Sequence, residues 1–340
     1  MAKKTFLGTD VSKDTLDFSL IFEDQPENFH DLRVTNNPAG YAKLVKWLKK
    51  LQANKSHLIT IMEHTGAYTL DFVCFLDEQN LDFVLFPALE IKRSLGITRG
   101  KNDKVDARRI ATYGFMIRHK IKPSKIPSVD IVKLKQLLSV RMLLVRQRTS
   151  TVNALKAQQK FNKYTQITVI ETELQDHIKG LNIRINEIEK ELGAIVKNSA
   201  ELKKNFELLC SITGVGPVIA YALIAYTNNF NNFSSARKFM SYVGVAPFEQ
   251  ESGQHKSKKK ICSLANKRLK ALLHNGASCM KVHDPEARAY YNRKIQEGKH
   301  KRQVANALAG KLITRIFAVI KRETNFVSLY SQKIPHKKVA

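Results

Sequence analysis

The chain has 340 residues, a formal net charge of +27 and a sequence pI near 9.9. That length suggests about two domains at roughly 150 residues each. Lys and Arg run along the whole chain instead of gathering in one tail, so several surfaces are expected to meet a polyanion. No apolar run approaches the roughly 20 residues needed to span a bilayer, so no membrane partner is expected. The start, Met1-Ala2-Lys3-Lys4, leads toward a strand without a signal-peptide apolar region. Cys74, Cys210, Cys262 and Cys279 are scattered with no CxxC pair, which argues against a zinc finger or disulfide framework and for a reduced, cytoplasmic setting.

The first stretch reads as α/β. Strands are predicted over 5–11, 15–23 and 29–35, with the acidic, Pro-containing 23–28 as a hairpin loop. Asn37-Pro38 opens a helix whose apolar face carries Tyr41, Leu44, Val45, Leu48 and Leu51. A buried strand over 57–62 ends at Glu63, a helix follows over 68–79, a strand over 82–86, and then a helix that carries Asp103 and Asp106 and runs to about His119. Three hairpin-connected strands followed by alternating units predict a mixed sheet flanked by helices.

From 128 to 206 glycine and proline nearly vanish. Leu174, Ile178, Leu181, Ile185, Ile188, Leu192 and Ile195 alternate steps of four and three, a heptad seam that predicts coiled-coil pairing within or between chains. The preceding helix, over 131–160, carries Arg141, Arg146, Arg148, Lys156 and Lys160, a face that is either simply solvated or tracks a phosphate backbone. The last part is mostly helical. Within 208–225, Ile212-Thr213-Gly214-Val215-Gly216-Pro217 lies between two apolar helical segments, a helix–hairpin–helix pattern whose amides at Gly214 and Gly216 can hold a phosphate. A helix over 234–245, a loop over 246–260 and basic helices over 264–280, 285–297 and 300–321 complete the reading.

Four acids stand out in so basic a chain: Asp10, Glu63, Asp103 and Asp106. Asp103 and Asp106 are three apart and share a helix face. Asp10 and Glu63 each end a strand, and strand ends of a mixed sheet can converge beside a helix. Four converging carboxylates repel one another unless a cation sits among them. A hard divalent ion, Mg²⁺ or Mn²⁺, suits oxygen donors and supports phosphoryl transfer. Taken singly, Asp10 also reads as a turn residue and Asp103 as a helix cap followed by a surface Asp106.

The acid order and its surroundings resemble a ribonuclease H-like, RuvC-type domain. They resemble more closely the DEDD-type transposases of a large bacterial insertion-sequence family that includes Piv-type invertases and bridge-RNA-guided recombinases. The resemblance rests on Gly8-Thr9-Asp10-Val11-Ser12-Lys13, Glu63-His64-Thr65-Gly66-Ala67-Tyr68 and Lys101-Asn102-Asp103-Lys104-Val105-Asp106-Ala107. Further along it rests on Ile212-Thr213-Gly214-Val215-Gly216, the stretch 239–247, and Glu251-Ser252-Gly253 before a Lys-rich run. It implies a RuvC-like domain over 1–127, a helical coiled-coil region over 128–206 and a C-terminal transposase domain over 207–335. It also implies that Ser252 is a nucleophile forming a covalent phosphoserine intermediate with DNA, that a structured guide RNA directs the choice of element ends and target, and that the enzyme works as a dimer or tetramer. From the residues alone Ser252 reads as a loop serine. Gly253 permits close backbone approach, and Lys256, Lys258, Lys259 and Lys260 offer charge for a phosphate. His255, Ser257, Cys262 and Ser263 are neighbouring candidates.

Three readings follow. One is a recombinase acting through Ser252 and the four acids. Another is a metal-dependent nuclease or junction resolvase with water as nucleophile. The last is a non-enzymatic architectural protein whose acids only cap helices and pair with lysines.

Overall fold

The structure, a computed structural model, describes residues 4–63, 66–87, 90–91, 102–248, 251–252, 255–256, 260–261 and 265–327. The chain divides into two compact units, 1–126 and 127–340.

The first unit is built on a five-stranded sheet of order β3-β2-β1-β4-β5. β1 (Thr5–Val11), β2 (Thr15–Phe22) and β3 (Gln25–Thr35) form an antiparallel meander. β4 (Leu58–Glu63) and β5 (Asp82–Phe86) run parallel to β1. The hairpin loop predicted over 23–28 is shorter than expected, because β3 already begins at Gln25. Pro26 is tolerated there because β3 is an edge strand, where a missing amide donor leaves no ladder bond broken.

Side-chain alternation divides the sheet into two faces. Leu7, Val11, Leu16, Phe18 and Leu20 pack with α1 (Pro38–Lys50) and α2 (Leu70–Glu78). Phe6, Ile21, Ile59, Ile61 and Val84 pack with Ile110, Ala111 and Tyr113 of α3 (Asp103–Met116). Asn37 caps α1 by accepting from the Gly40 amide, and Asn102 caps α3 by accepting from the Lys104 amide. The helix predicted over 68–79 begins instead with a 3₁₀ turn over Gly66–Thr69, and Thr69 makes no side-chain cap to the α-helix that follows.

The second unit opens with two long helices, α4 (Val129–Thr165) and α5 (Thr168–Asn198). They form an antiparallel hairpin: Arg141 pairs with Glu189, Arg148 donates to Asn182 at 3.0 Å, and Asn162 donates to Glu171 nearer the turn. Leu181, Ile185 and Leu192 of the heptad seam are buried. α6 (Ala200–Cys210), α7 (Pro217–Thr227), α8 (Ala236–Tyr242), α9 (Lys267–His283), α10 (Pro285–Gln296) and α11 (Lys301–Arg322) follow. α7 is buried continuously from Ile219 to Ala225, which makes it the central helix. The base of the long hairpin joins the same core through Ile131, Leu134, Leu138, Leu192 and Val196.

Two expectations change here. The loop predicted over 246–260 carries short strands: β6 (Pro247–Phe248) pairs with β9 (Lys260–Ile261), and β7 (Glu251–Ser252) with β8 (His255–Lys256). They escape sequence reading because a two-residue strand shows no periodicity. Among the described residues one helix, α11, is also long and apolar enough to cross a membrane by length and composition. Its Val304, Leu308, Leu312, Ile313, Ile316 and Val319 are instead buried in the core of this unit.

Candidate active site

The sheet register sets two of the acids side by side. The parallel pairing of β1 with β4 runs through Thr9 and Met62, and the next residues along the two strands are Asp10 and Glu63. Gly8 and Asp10 share one face of β1, as Ile61 and Glu63 share one face of β4. That is the face α3 covers. A Cβ on Gly8 would lie 2.2 Å from the Ala107 carbonyl oxygen and 2.3 Å from the Ala111 amide nitrogen, so α3 lies directly on the β1 backbone. Asp103 and Asp106 occupy the first turn of the same helix. The approach at Gly8 therefore brings the helix start, with its two acids, toward the Asp10 end of β1.

Electrostatics record this convergence. The Asp10 carboxyl is pushed up to about 6, first by burial and then by the charges of Asp103, Asp106, Glu63 and Asp17. Asp17 stands opposite Asp10 in the β1–β2 ladder and is itself buried. Burial raises its carboxyl, Arg33 lowers it and Asp103 raises it. Arg33 bridges the two acids, with Nε 3.6 Å from Asp17 and Nη2 3.5 Å from Asp103. Arg109 takes Asp106 at 2.8 Å. On β3, Asp31 binds Arg108 and, at 3.1 Å, Lys104, tying α3 to the sheet edge. Burial works against these bonds, yet they hold the Asp31 carboxyl below its ordinary value.

Asp17, Asp31 and Arg33 were not singled out from the sequence. The available signal was a charge at alternate positions of an otherwise apolar hairpin, Leu16-Asp17-Phe18 against Leu32-Arg33-Val34.

All four predicted acids thus belong to one corner of the first unit. Their donors are hard carboxylate oxygens, the chemistry a Mg²⁺-like ion prefers, and a cation there would relieve the repulsion that raises Asp10. Among the described residues no three acids already form a closed cage; Asp103 is drawn to Arg33 and Asp106 to Arg109.

In the second unit Ser252 is in the β7–β8 ladder opposite His255, with Glu251 opposite Lys256. Lys260 lies in β9, paired with Phe248 of β6. Ser257, Lys258, Lys259, Cys262 and Ser263 lie outside the described residues. Two helix side chains lead up to this segment: Lys270 Nζ donates to the Gly244 carbonyl and Asn306 to the Val245 carbonyl, each at 2.8 Å.

The other predicted contacts differ in kind. Gly214 has φ +97°, and a Cβ there would lie 2.5 Å from the Gly276 carbonyl of α9, so close packing as well as backbone conformation requires glycine. Gly216 is exposed and is the N-cap residue of α7. Arg141 and Arg148 each have a partner across the long hairpin, whereas Arg146, Lys156 and Lys160 are exposed.

Two family models match the chain in order. One, described as a transposase and representing the DEDD domain of the IS110 group, matches residues 7–160. The other, described as the transposase IS116/IS110/IS902 family, matches residues 206–292. The mixed sheet is consistent with a ribonuclease H-like fold, and together with the first match it defines a DEDD-type transposase, an enzyme acting on DNA in transposition and recombination. Such a domain implies a divalent metal. The two matches together take in well over half of the sequence, and the chain belongs to the IS110/IS116 family of transposases. The pilin gene-inverting protein of Moraxella lacunata is 28% identical over 332 residues, covering 95% of this chain and 98% of that one. The transposase for insertion sequence element IS1111A of Coxiella burnetii is 23% identical over 261 residues, 68% of this chain and 69% of that one. An uncharacterized 42 kDa protein of insertion element IS900 from Mycobacterium paratuberculosis is 22% identical over 94% of this chain and 96% of that one.

Proposed function

We propose that the chain is a site-specific recombinase that cuts and rejoins DNA through Ser252, assisted by a Mg²⁺ site at Asp10, Glu63, Asp103 and Asp106. The observation that carries the metal half is the sheet register that sets Asp10 beside Glu63, with the seat of α3 on Gly8 bringing Asp103 and Asp106 toward them; the raised Asp10 carboxyl agrees with it. The serine half is supported by the family resemblance and by the second match, which spans Ser252.

In the strand-cleavage step the Ser252 hydroxyl oxygen bonds to a backbone phosphorus as the bond from phosphorus to one sugar oxygen breaks. The hydroxyl proton goes to a base, and the leaving sugar oxygen takes up a proton. Attack by a sugar hydroxyl on the phosphoserine then reverses these changes and joins a new strand, with no external energy source. Serine is a weak nucleophile unaided, so the reading requires the acids of the first unit to work on the same phosphate as Ser252. A divalent ion held there would stabilise the negative charge that develops on the phosphoryl oxygens. Lys256, Lys258, Lys259 and Lys260 would add cationic stabilisation from the serine side.

The exposed Arg146, Lys156 and Lys160, with the exposed turn at Gly216, are read as a surface for DNA and for a structured guide RNA. The 212–216 turn is then a helix–hairpin–helix and the α4–α5 pair a coiled coil. Phe161, Tyr164 and Val169 near the turn of that pair are 64%, 89% and 62% exposed, which supports self-association as a dimer or tetramer.

The test incubates the protein with DNA and RNA from its own element and Mg²⁺, then looks for protein covalently joined to a DNA end. An adduct in the wild type that is absent in Ser252→Ala supports the recombinase. Cleavage that persists in Ser252→Ala with no adduct in either protein would establish the nuclease with water as nucleophile. Full recombination by RNA-free protein would remove the guide.

A further inference from the structure

A cavity of about 320 Å³ opens between α4, α7 and α9, within the second unit. Its volume lies at the small end of the roughly 300–1,000 Å³ range of ligand pockets. The interior is apolar and partly aromatic: Leu138, Met142 and Val145 come from α4, Ala222 and Tyr226 from α7, and Leu272 from α9. Its cations are Arg146, Lys267 and Arg268, all exposed, and Arg141, which is paired with Glu189. No carboxylate is among the described residues lining it.

The charge here is out of place for stability. Lys267 and Arg268 occupy the first turn of α9, and that turn has no acidic residue. The first turn of a helix carries the positive end of its dipole, so two cations there repel it. A bound anion removes that conflict. Val218, in the first turn of α7, lines the same cavity, so a second positive helix end faces it.

An occupant must therefore combine a flat or apolar body with a negative charge attached at the mouth. A nucleotide base joined to its phosphate has that shape and charge. Tyr226 offers an aromatic surface for stacking, and Asn275 offers an amide able to pair with a base edge.

We infer that this cavity holds one unstacked nucleobase of a single-stranded or flipped segment, with the adjoining phosphates on Arg146, Lys267 and Arg268. The inference rests on the reading of this unit as a nucleic-acid-binding surface and adds to it a base-dependent site.

The test uses the full chain and two fluorescent oligonucleotides of equal length and charge. One is oligothymidylate, and the other has the same phosphodiester backbone with every base replaced by an abasic spacer. Wild type is expected to bind oligothymidylate about tenfold or more tightly than the abasic strand, the preference expected from one stacked base. Val145→Trp, which fills the cavity and leaves every charge in place, is expected to abolish that preference and keep the abasic affinity. If Val145→Trp does not fold by circular dichroism, Tyr226→Ala serves in its place and is expected to cut the preference severalfold. Arg268→Ala is expected to weaken both strands together.

Equal wild-type affinity for the two strands would overturn the base site while leaving charge-driven binding intact. Binding of neither strand would overturn the nucleic-acid reading of the unit as well. Tight binding of a glutamate–tyrosine copolymer that Val145→Trp abolishes, with oligothymidylate binding unchanged by the same substitution, would assign the cavity to an acidic protein partner instead.

Discussion

The two units handle charge in opposite ways. In the first, acids and bases are interleaved at one corner of a sheet: Asp10, Asp17, Glu63, Asp103 and Asp106 stand among Arg33 and Arg109, each position fixed by strand register or by the seat of α3 on Gly8. In the second, cations are distributed over long helices, and Ser252 is carried on two-residue strands. The first arrangement suits a fixed electrostatic centre, where small displacements of a carboxylate are costly. The second suits a large polyanion held at many points, where no single cation decides the outcome. Precision is concentrated where the metal chemistry is proposed, and breadth where strands are to be held.

Substitutions at the acidic corner should therefore be far more damaging than single changes on the basic helices. The largest effect is expected for Asp10→Asn, with strand exchange falling by ~10³-fold, beyond the 10–100-fold typical of residues that only orient a metal ligand. Exchange of Lys156 for alanine should cost less than about tenfold, read in the same recombination assay, since it removes one phosphate contact among many. Comparable losses from the two substitutions would break the contrast.

Next is Gly8→Val. Its side chain would meet the Ala107 and Ala111 backbone and lift α3 from β1, destabilising the protein by about 3 kcal/mol, the upper range for overpacking. The denaturant midpoint measures it, and an unchanged midpoint would mean that α3 is not seated on Gly8.

A smaller effect sharpens the electrostatic side. The Asp10 carboxyl has a folded value of about 6 against an ordinary 3.8, so its favourable contribution is fully present below 3.8 and lost as pH rises through about 6. In EDTA, Asp10→Asn should therefore be more stable than wild type by about 1–2 kcal/mol near neutrality, after allowance for solvent screening. The two should converge near pH 4, and added Mg²⁺ should stabilise wild type alone. The smallest effect is expected for Arg33→Met. It leaves Asp17 and Asp103 unbalanced and should cost about 0.5–1 kcal/mol in metal-free protein, measured by thermal unfolding at low salt.

The same contrast explains what the sequence revealed. β5 was legible to the residue because Asp82–Phe86 is a short apolar run between turn signals; the start of α3 was not, since Asp103 also read as its cap and Asn102 holds that place. The four acids were legible because carboxylates at strand ends and at a helix start are conspicuous in a basic chain. The bracket of Asp17 and Arg33 was not, since their pairing depends on a cross-strand register that one-dimensional periodicity does not carry. The strands around Ser252 are too short for a period, and the close approach of Gly214 to Gly276 joins residues 62 positions apart. The resemblance pointed to Ser252 where the residues alone favoured an ordinary loop serine.

The central claim is that the acids of the first unit and Ser252 of the second serve one reaction. Its most direct test is the yield of covalent protein–DNA adduct from Asp10→Asn, with DNA and RNA binding measured on the same samples. The account predicts wild-type binding and no adduct at any Mg²⁺ concentration. Adduct formed by Asp10→Asn at the wild-type rate would show that Ser252 acts without the acidic corner, and would contradict it.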